Sequence, residues 1–438
     1  MGGAVTDRWG VPVHAGGDRG VALLDDAVEG LVALAGTPAA DSAAAADADG
    51  DLALAVIVGA YLALYGASPE GLARANELLG RLGGELPRRE AYHLEAARAW
   101  ADGQLQQALR ALEEALVRHP RDLLALKIGQ DLYFATGQSR QLRDVVGRVL
   151  AAWPRGHPGW GFVQGMYAFG LEEIGQYREA EERARAALAH NQRDVWAVHA
   201  LAHVFEMEGR AQGGIDFLSS SAPDWQTSFF AVHNWWHRAL CHLELDQGDQ
   251  VLALYDGPIR GAQSNLWLDV DDAASLLWRL SLYGIGLGER AHALASALGP
   301  LVTEPIAVFN DWHAVMALGL AGDHERNAEI LAANRERSVG TNRAAGEQAG
   351  FALLEGFGAF AAGRFDRATE LLVDLAPAAQ VVGGSHAQRD VLNLTVIAAA
   401  ARAGDGRLAA ALAAERVAAK PAAAGATRRL LEANGAPA

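Results

Sequence analysis

Nine glycines at 103, 137, 175, 209, 248, 288, 322, 363 and 404 are 34, 38, 34, 39, 40, 34, 41 and 41 residues apart. Their surroundings repeat too. Gly103 is followed by Ala108, Ala115 and Pro120, Gly137 by Leu142, Val149 and Pro154, and Gly175 by Ala180 and Ala187. Later members pair Gly209 with Gly214, Gly248 with Ala253, Gly288 with Ala293, Gly322 with Asn327, Gly363 with Ala368 and Gly404 with Ala409. A glycine ends one helix in the left-handed region that other residues resist. The small residue lets a second helix approach the first, and a proline stops that helix.

A period near 34 with these residues is the tetratricopeptide pattern. One such helix pair cannot bury its own apolar face, whereas a stack can. The expected fold is therefore all-α, a tetratricopeptide-like helical repeat, or α-solenoid, wound tightly into a superhelix. Asn327 departs from the small-residue rule and predicts an irregular repeat. The expected organisation is a lead-in with one helix and an acidic Ala-rich loop over 1–50, helix pairs over 51–420, and an Ala-rich tail over 421–438. Within the lead-in, residues 1–18 read as irregular, Asp18 to Ala35 as a helix, and 37–50 as the loop. No strand-rich segment is visible.

Of the 438 residues, 51% are apolar, enough for a large core. Acids outnumber bases 53 to 37, and the net charge of −16 argues against a nucleic-acid or anionic-membrane surface. Cys241 is the single cysteine, so no intrachain disulfide is available and a reducing, cytoplasmic location is expected. The first residues lack the charged and apolar regions of a signal peptide. The longest apolar run, LALAVIVGAYLALYGA from Leu52, is short for a membrane span and reads as a helix buried on all sides.

Several unusual words occur in order between Arg118 and Ala400: HPRDLLALKIGQDLYFATGQ, GWGFVQGMYAFGLEEIGQYREAE, VHALAHVFEMEGR, VHNWWHRALCHLELDQGD, FNDWHAVMAL and GGSHAQRDVLN. With them the chain resembles the tetratricopeptide repeat protein 38 family. The resemblance implies an all-helical repeat fold that curls on itself; it brings no activity.

The polar residues are segregated. Each repeat has a first helix before the glycine and a second after it, and first helices line the concave side of such stacks. Lys127, Gln130 and Asp131, then His157, Gln164 and Tyr167, then His199, His203 and Glu206 precede their glycines. So do His233, His237 and Cys241, Asp269, Asp271, Asp272, Ser275 and Arg279, Asn310, Asp311 and His313, and His386, Arg389, Asp390 and Asn393. Second helices carry ordinary solvated charge, as over 177–185. Nine of the eleven tryptophans, Trp236 among them, lie between Trp153 and Trp312 and would wall a pocket.

His199, His203 and Glu206 fall on one helical stripe, and His233 and His237 on another. Imidazole and carboxylate are ligands for a divalent transition metal, and helical bundles build metal sites from such residues on neighbouring helices. A metal site, a metal-free pocket and a structural polar seam all remain open. His203, His237, His313, His386 and Asp390 are the candidates for acid–base work, since a carboxylate beside a histidine sets its tautomer and basicity. Arg389, His157, Tyr167, Trp236 and Asp271 would surround a ligand or cofactor. Asp269, Asp271 and Asp272 would hold a cation, orient a histidine or simply favour a helix start, and Arg279 would pair with Asp272. Ser385 reads as a helix cap and Cys241 as an inert core residue.

The function expected is a histidine-rich inner pocket that binds a small molecule, through a metal and with acid–base chemistry if the ligands converge. The alternative is a scaffold that takes a peptide or protein partner in its concave groove, with Lys127 and Asn393 meeting the partner's backbone. Homo-oligomers through exposed end repeats, with the Ala-rich tail on a partner chain, are a third possibility.

Overall fold

The computed structural model describes residues 4–299, 306–337 and 340–436. It is all-α apart from one short antiparallel ribbon, Ala4–Thr6 against Pro12–His14. That ribbon lies where an irregular lead-in was expected. Three-residue strands are too short to show an alternating pattern in sequence.

After the ribbon come α1 (Asp18–Ala33), α2 (Pro38–Ala48) and the pair α3/α4 (Ala53–Tyr65, Pro69–Gly80). Helix α2 corrects the expected acidic Ala-rich loop at 37–50. Alanine has the highest helix propensity and Pro38 suits a first helical position. The apolar run from Leu52 forms α3, thirteen residues and largely buried. Among the described residues no helix is long and apolar enough to cross a membrane.

Nine helix pairs follow among the described residues. They are α5/α6 (Arg88–Ala101, Leu105–Arg118), α7/α8 (Leu123–Ala135, Ser139–Val149), α9/α10 (Trp160–Glu172, Tyr177–His190) and α11/α12 (Val195–Met207, Ala211–Trp225). Next are α13/α14 (Ala231–Glu244, Gly248–Leu254), α15/α16 (Trp267–Leu282, Arg290–Ala297) and α17/α18 (Val308–Leu320, His324–Arg337). Helix α19 (Gly340–Ala345) leads into α20/α21 (Phe351–Ala361, Phe365–Leu372), and α22 (Ala376–Ala379) precedes α23/α24 (His386–Arg402, Gly406–Ala419). The chain ends on α25 (Ala424–Ala433).

One backbone device closes each of these nine pairs. The turn residue donates its N–H three residues back and the next residue donates five back. Examples are Gly137 to Phe134 O (3.0 Å) with Gln138 to Tyr133 O (2.9 Å), and Gly404 to Ala401 O (3.0 Å) with Asp405 to Ala400 O (3.0 Å). These bonds satisfy helix-end carbonyls that otherwise lack partners. Seven of the nine expected glycines, 103, 137, 175, 209, 322, 363 and 404, hold the turn with positive φ. The other two turns use Asp246 (φ 60°) and Gly284 (φ 73°) in place of Gly248 and Gly288. Accordingly Ala253 and Ala293 are exposed, while Val251 and Ala291 take the buried close-approach positions. Asn327 packs into its repeat: it is buried and donates Nδ2–H to Val315 O at 3.4 Å.

The chain divides into two compact units, residues 1–201 with 223–230, and residues 202–222 with 231–438; the division falls inside α11 and α12. In the first unit a buried guanidinium ties the N-terminal ribbon to the helices. Arg89 donates to both oxygens of Asp122 (2.7 and 3.1 Å) and to Asp7 (2.8 Å). The second unit has one continuous core from Trp236 to Ala436, with Trp278, Trp312 and Phe357 at its centre. The Ala-rich tail packs onto its own unit. Leu430 and Leu431 are buried, Arg429 donates to the carbonyls of Leu243 and Glu244 (3.0 and 2.9 Å), and Asn434 donates to Leu282 O (2.9 Å). These bonds cap the ends of α13 and α15.

Candidate functional site

The spacing of four that marks His233 and His237 places both on one face of α13. The same spacing sets His203 one turn beyond His199 on α11. Within the second unit three of these imidazoles meet. His203, His233 and His237 are all buried, and each offers a ring nitrogen within 4.8 Å of the others'. The His233 and His237 Nε2 atoms are 3.2 Å apart. The His203 and His237 ring centroids are 4.4 Å apart, and His386, at the first turn of α23, lies 5.4 Å from His203.

Carboxylates back two of the rings. His233 Nδ1 is 2.9 Å from both oxygens of Asp272 on α15. His237 Nδ1 is 3.4 Å from Glu206 Oε2 on α11. The other oxygen of Glu206 accepts from Lys420 Nζ at 2.9 Å. Trp236 stacks on His233 (5.2 Å, 14° between planes) and donates Nε1–H to Ser275 Oγ at 3.1 Å.

Electrostatics follow from burial. Loss of water, then the neighbouring His203 and His233, hold His237 well below the ordinary imidazole value. Burial alone would raise Glu206, but the Lys420 ammonium outweighs it and the carboxyl is lowered. Burial alone would lower Lys420, but Glu206, Asp390 and Glu244 outweigh it and the amine is raised. The pair is therefore charged. Burial pushes the Cys241 thiol up to about 12; it packs against Ala211 and Ile215 as the inert residue expected.

The other candidates lie elsewhere. His199 belongs to the first unit, among the rings of Phe169, Trp196 and Phe230 (4.9, 5.8 and 4.9 Å). His157, also in the first unit, lies 3.2 Å from Trp9 O, accepts from Gly159 N–H and packs edge-on to Trp153. Tyr167 faces Arg183 at 5.5 Å. Lys127, expected on an open groove, is buried, paired with Asp131 and 4.4 Å over Trp196.

The acid–base candidates outside the cluster take partners other than their sequence neighbours, and the expected pairing of Arg279 with Asp272 is corrected. His313 does not pair with Asp311. Its Nδ1–H donates to Phe309 O (2.8 Å), and the carboxylate beside it is Asp271, at 3.9 Å. Asp390 pairs not with His386 but with Arg416 (2.6 and 3.0 Å), and Asn393 donates to it at 3.3 Å. Burial would raise Asp390, but Arg416 holds it at about 2. Arg279 hydrogen-bonds carbonyls, those of Ala387, Gln388 and Ser275, rather than Asp272. Arg389 donates to Gly384 O. Ser385 is the cap expected, in a reciprocal capping box with Gln388.

Sequence reasoning missed Lys420 and Arg416. The available signal is two lone basic residues four apart in an Ala-rich, sparsely charged stretch.

No family model matches the chain. It is similar to several solved structures. They include the crystal structure of the APC/C hetero-tetramer Cut9-Hcn1 (13% identity, TM-score 0.44, 93% of this chain and 69% of that one). The P58(IPK) TPR domain (14%, TM-score 0.23, 79% and 89%) and yeast Tom70 (12%, TM-score 0.35, 95% and 95%) are two more.

Proposed function

We propose that this chain is a tetratricopeptide-like binding protein whose second unit holds its ligand at the imidazole–carboxylate centre of His203, His233 and His237. One observation carries the reading. Helices from separate hairpins bring three imidazoles, two carboxylates and an ammonium together with almost no exposure to water. Burying such groups costs free energy that an apolar core would not spend. The resemblance to the tetratricopeptide repeat protein 38 family belongs to the same proposal. Two words that carry it, VHALAHVFEMEGR and VHNWWHRALCHLELDQGD, contain all three histidines.

Binding suits the centre better than acid–base catalysis. Asp390 is locked to Arg416, and burial holds His313 at about 3, with its Nδ1–H committed to Phe309 O.

The test needs no ligand. In the His203→Leu/His237→Leu double variant, Glu206 keeps Lys420 and His233 keeps Asp272. If the imidazoles are kept for binding, denaturant stability stays within about 1 kcal/mol or rises, as when polar partners are replaced together. A loss beyond about 3 kcal/mol shows a structural seam instead.

A second reading is the scaffold for a peptide or protein partner, which a tetratricopeptide-like fold allows. Large apolar side chains stand singly at the surface, Phe229 52% exposed and Leu266 57%. Lys127 and Asn393, the residues expected to grip such a partner, are tied within the chain instead. Leu266→Asp would abolish partner binding under this reading and leave the histidine centre untouched.

A further inference from the structure

We propose that His203, His233 and His237 bind one divalent first-row transition ion, of which zinc is the type. Asp272 and Glu206 orient two of the ligands. This rests on the binding-centre reading above and names its ligand.

Arrangement is the first argument. Asp272, His233, His237 and Glu206 form a line of four groups, at 2.9, 3.2 and 3.4 Å. The carboxylates stand on the Nδ1 sides of the two rings, and the two Nε2 atoms face each other between them. That is the order carboxylate, imidazole, cation, imidazole, carboxylate in which metal-binding histidines are held.

Distance is the second. Two nitrogens at the usual zinc–nitrogen distance in a tetrahedral site are about 3.3 Å apart. The Nε2 atoms of His233 and His237 are 3.2 Å apart before any ion is considered. His203 supplies a third nitrogen within 4.8 Å.

The surroundings are the third. Metal-binding histidines donate their other ring N–H to a carboxylate or carbonyl, which fixes tautomer and orientation. Asp272 does this for His233, and Glu206 lies on the same side of His237. Trp236 stacks on His233 and restrains that ring. Three nitrogens leave a fourth position for water or a small ligand, as in open zinc sites.

The experiment titrates the full chain, freed of metal by chelator, with Co²⁺ alone and then with Zn²⁺ in competition. The expected result is one Co²⁺ per chain with the intense visible absorption of a tetrahedral site, displaced by one equivalent of Zn²⁺. His237→Gln should abolish the spectrum. Asp272→Asn, which keeps all three ligands, should weaken zinc about 10- to 100-fold. Circular dichroism of each variant in chelator confirms that it is folded. Should Asp272→Asn fail to fold, Glu206→Gln gives the same reading through His237.

No Co²⁺ spectrum in the folded wild-type chain would overturn the metal. Unchanged zinc affinity in His237→Gln would overturn it equally. Neither outcome touches the binding-centre reading, which fails only if the double leucine variant loses stability.

Discussion

Each unit buries a network of charged and imidazole groups, and the two differ in what stands at the centre. In the first unit, Arg89 supplies three N–H groups to Asp7 and Asp122. His93 donates Nε2–H to Asp122 (3.1 Å), and Tyr61 Oη is 3.3 Å from His93 Nδ1. The backbone N–H groups of Trp9, Val11 and Ala125 fill the remaining carboxylate positions. Every donor has an acceptor. In the second unit the line from Asp272 to Glu206 runs through two imidazoles whose Nε2 atoms face each other at 3.2 Å. A network centred on a guanidinium acts as a rivet for the ribbon and helices it joins. One centred on facing imidazoles is, under the proposal above, kept for a ligand.

The sharpest way to break this contrast is to remove the rivet. Arg89→Met leaves Asp7 and Asp122 buried without their guanidinium. Removing one partner of a buried pair costs about 3–5 kcal/mol. Chemical denaturation of the variant should show a loss of that size, against little or none for the double leucine variant of the second unit. If both lose alike, both networks are structural and the distinction falls.

A test about half as large concerns a histidine that lacks a charged partner of the kind Asp122 gives His93. Burial, against the pull of the Phe309 carbonyl, lowers His313 to about 3. Its unfolded value is near 6.5, so between those values the unfolded chain binds the additional proton. Stability therefore falls as pH drops below about 6.5 and continues to fall until the folded ring titrates. Between pH 8 and pH 5 this residue removes about 2 kcal/mol, at 1.36 kcal/mol per pH unit below 6.5. His313→Phe should lose that much less over the same interval. Asp311, raised to about 7 by burial, acts in the opposite direction and drops out of the difference between the two proteins. Equal losses would show that His313 is protonated in the folded chain.

Much of this was legible in the sequence because a helix-ending turn and a helical stripe are both local. The glycines 103, 137 and 175 gave the pair length of the first unit directly, since their left-handed φ is fixed by the turn itself. The spacing of four put His233 and His237 side by side, and Trp236 beside them. What could not be read was long-range. Lys420 meets Glu206 from 214 residues away, and Arg416 takes Asp390 from 26. No periodicity encodes either pair. Helix α2 was missed for another reason: an alanine-rich helix has little apolar contrast between its faces.

The turns themselves carry the comparison into its smallest measurable effect. In the first unit the turns after α5, α7 and α9 are glycines, but in the second the turn after α13 falls on Asp246, two residues before the glycine that the period picks out. Its φ of 60° is left-handed, where an aspartate is tolerated and a glycine is unstrained. The side chain recovers little: Arg429 lies 3.4 Å from Asp246, whose carboxylate is 71% exposed, so the ion pair is screened by water. Asp246→Gly should therefore stabilise the chain by about 0.5–1 kcal/mol in denaturant melts. Gly404→Ala, at the equivalent turn after α23, should destabilise it by about the same amount. If Asp246→Gly is instead destabilising, the aspartate has a role in its pair beyond the turn, and the drift away from Gly248 is a feature of the second unit rather than a tolerated substitution.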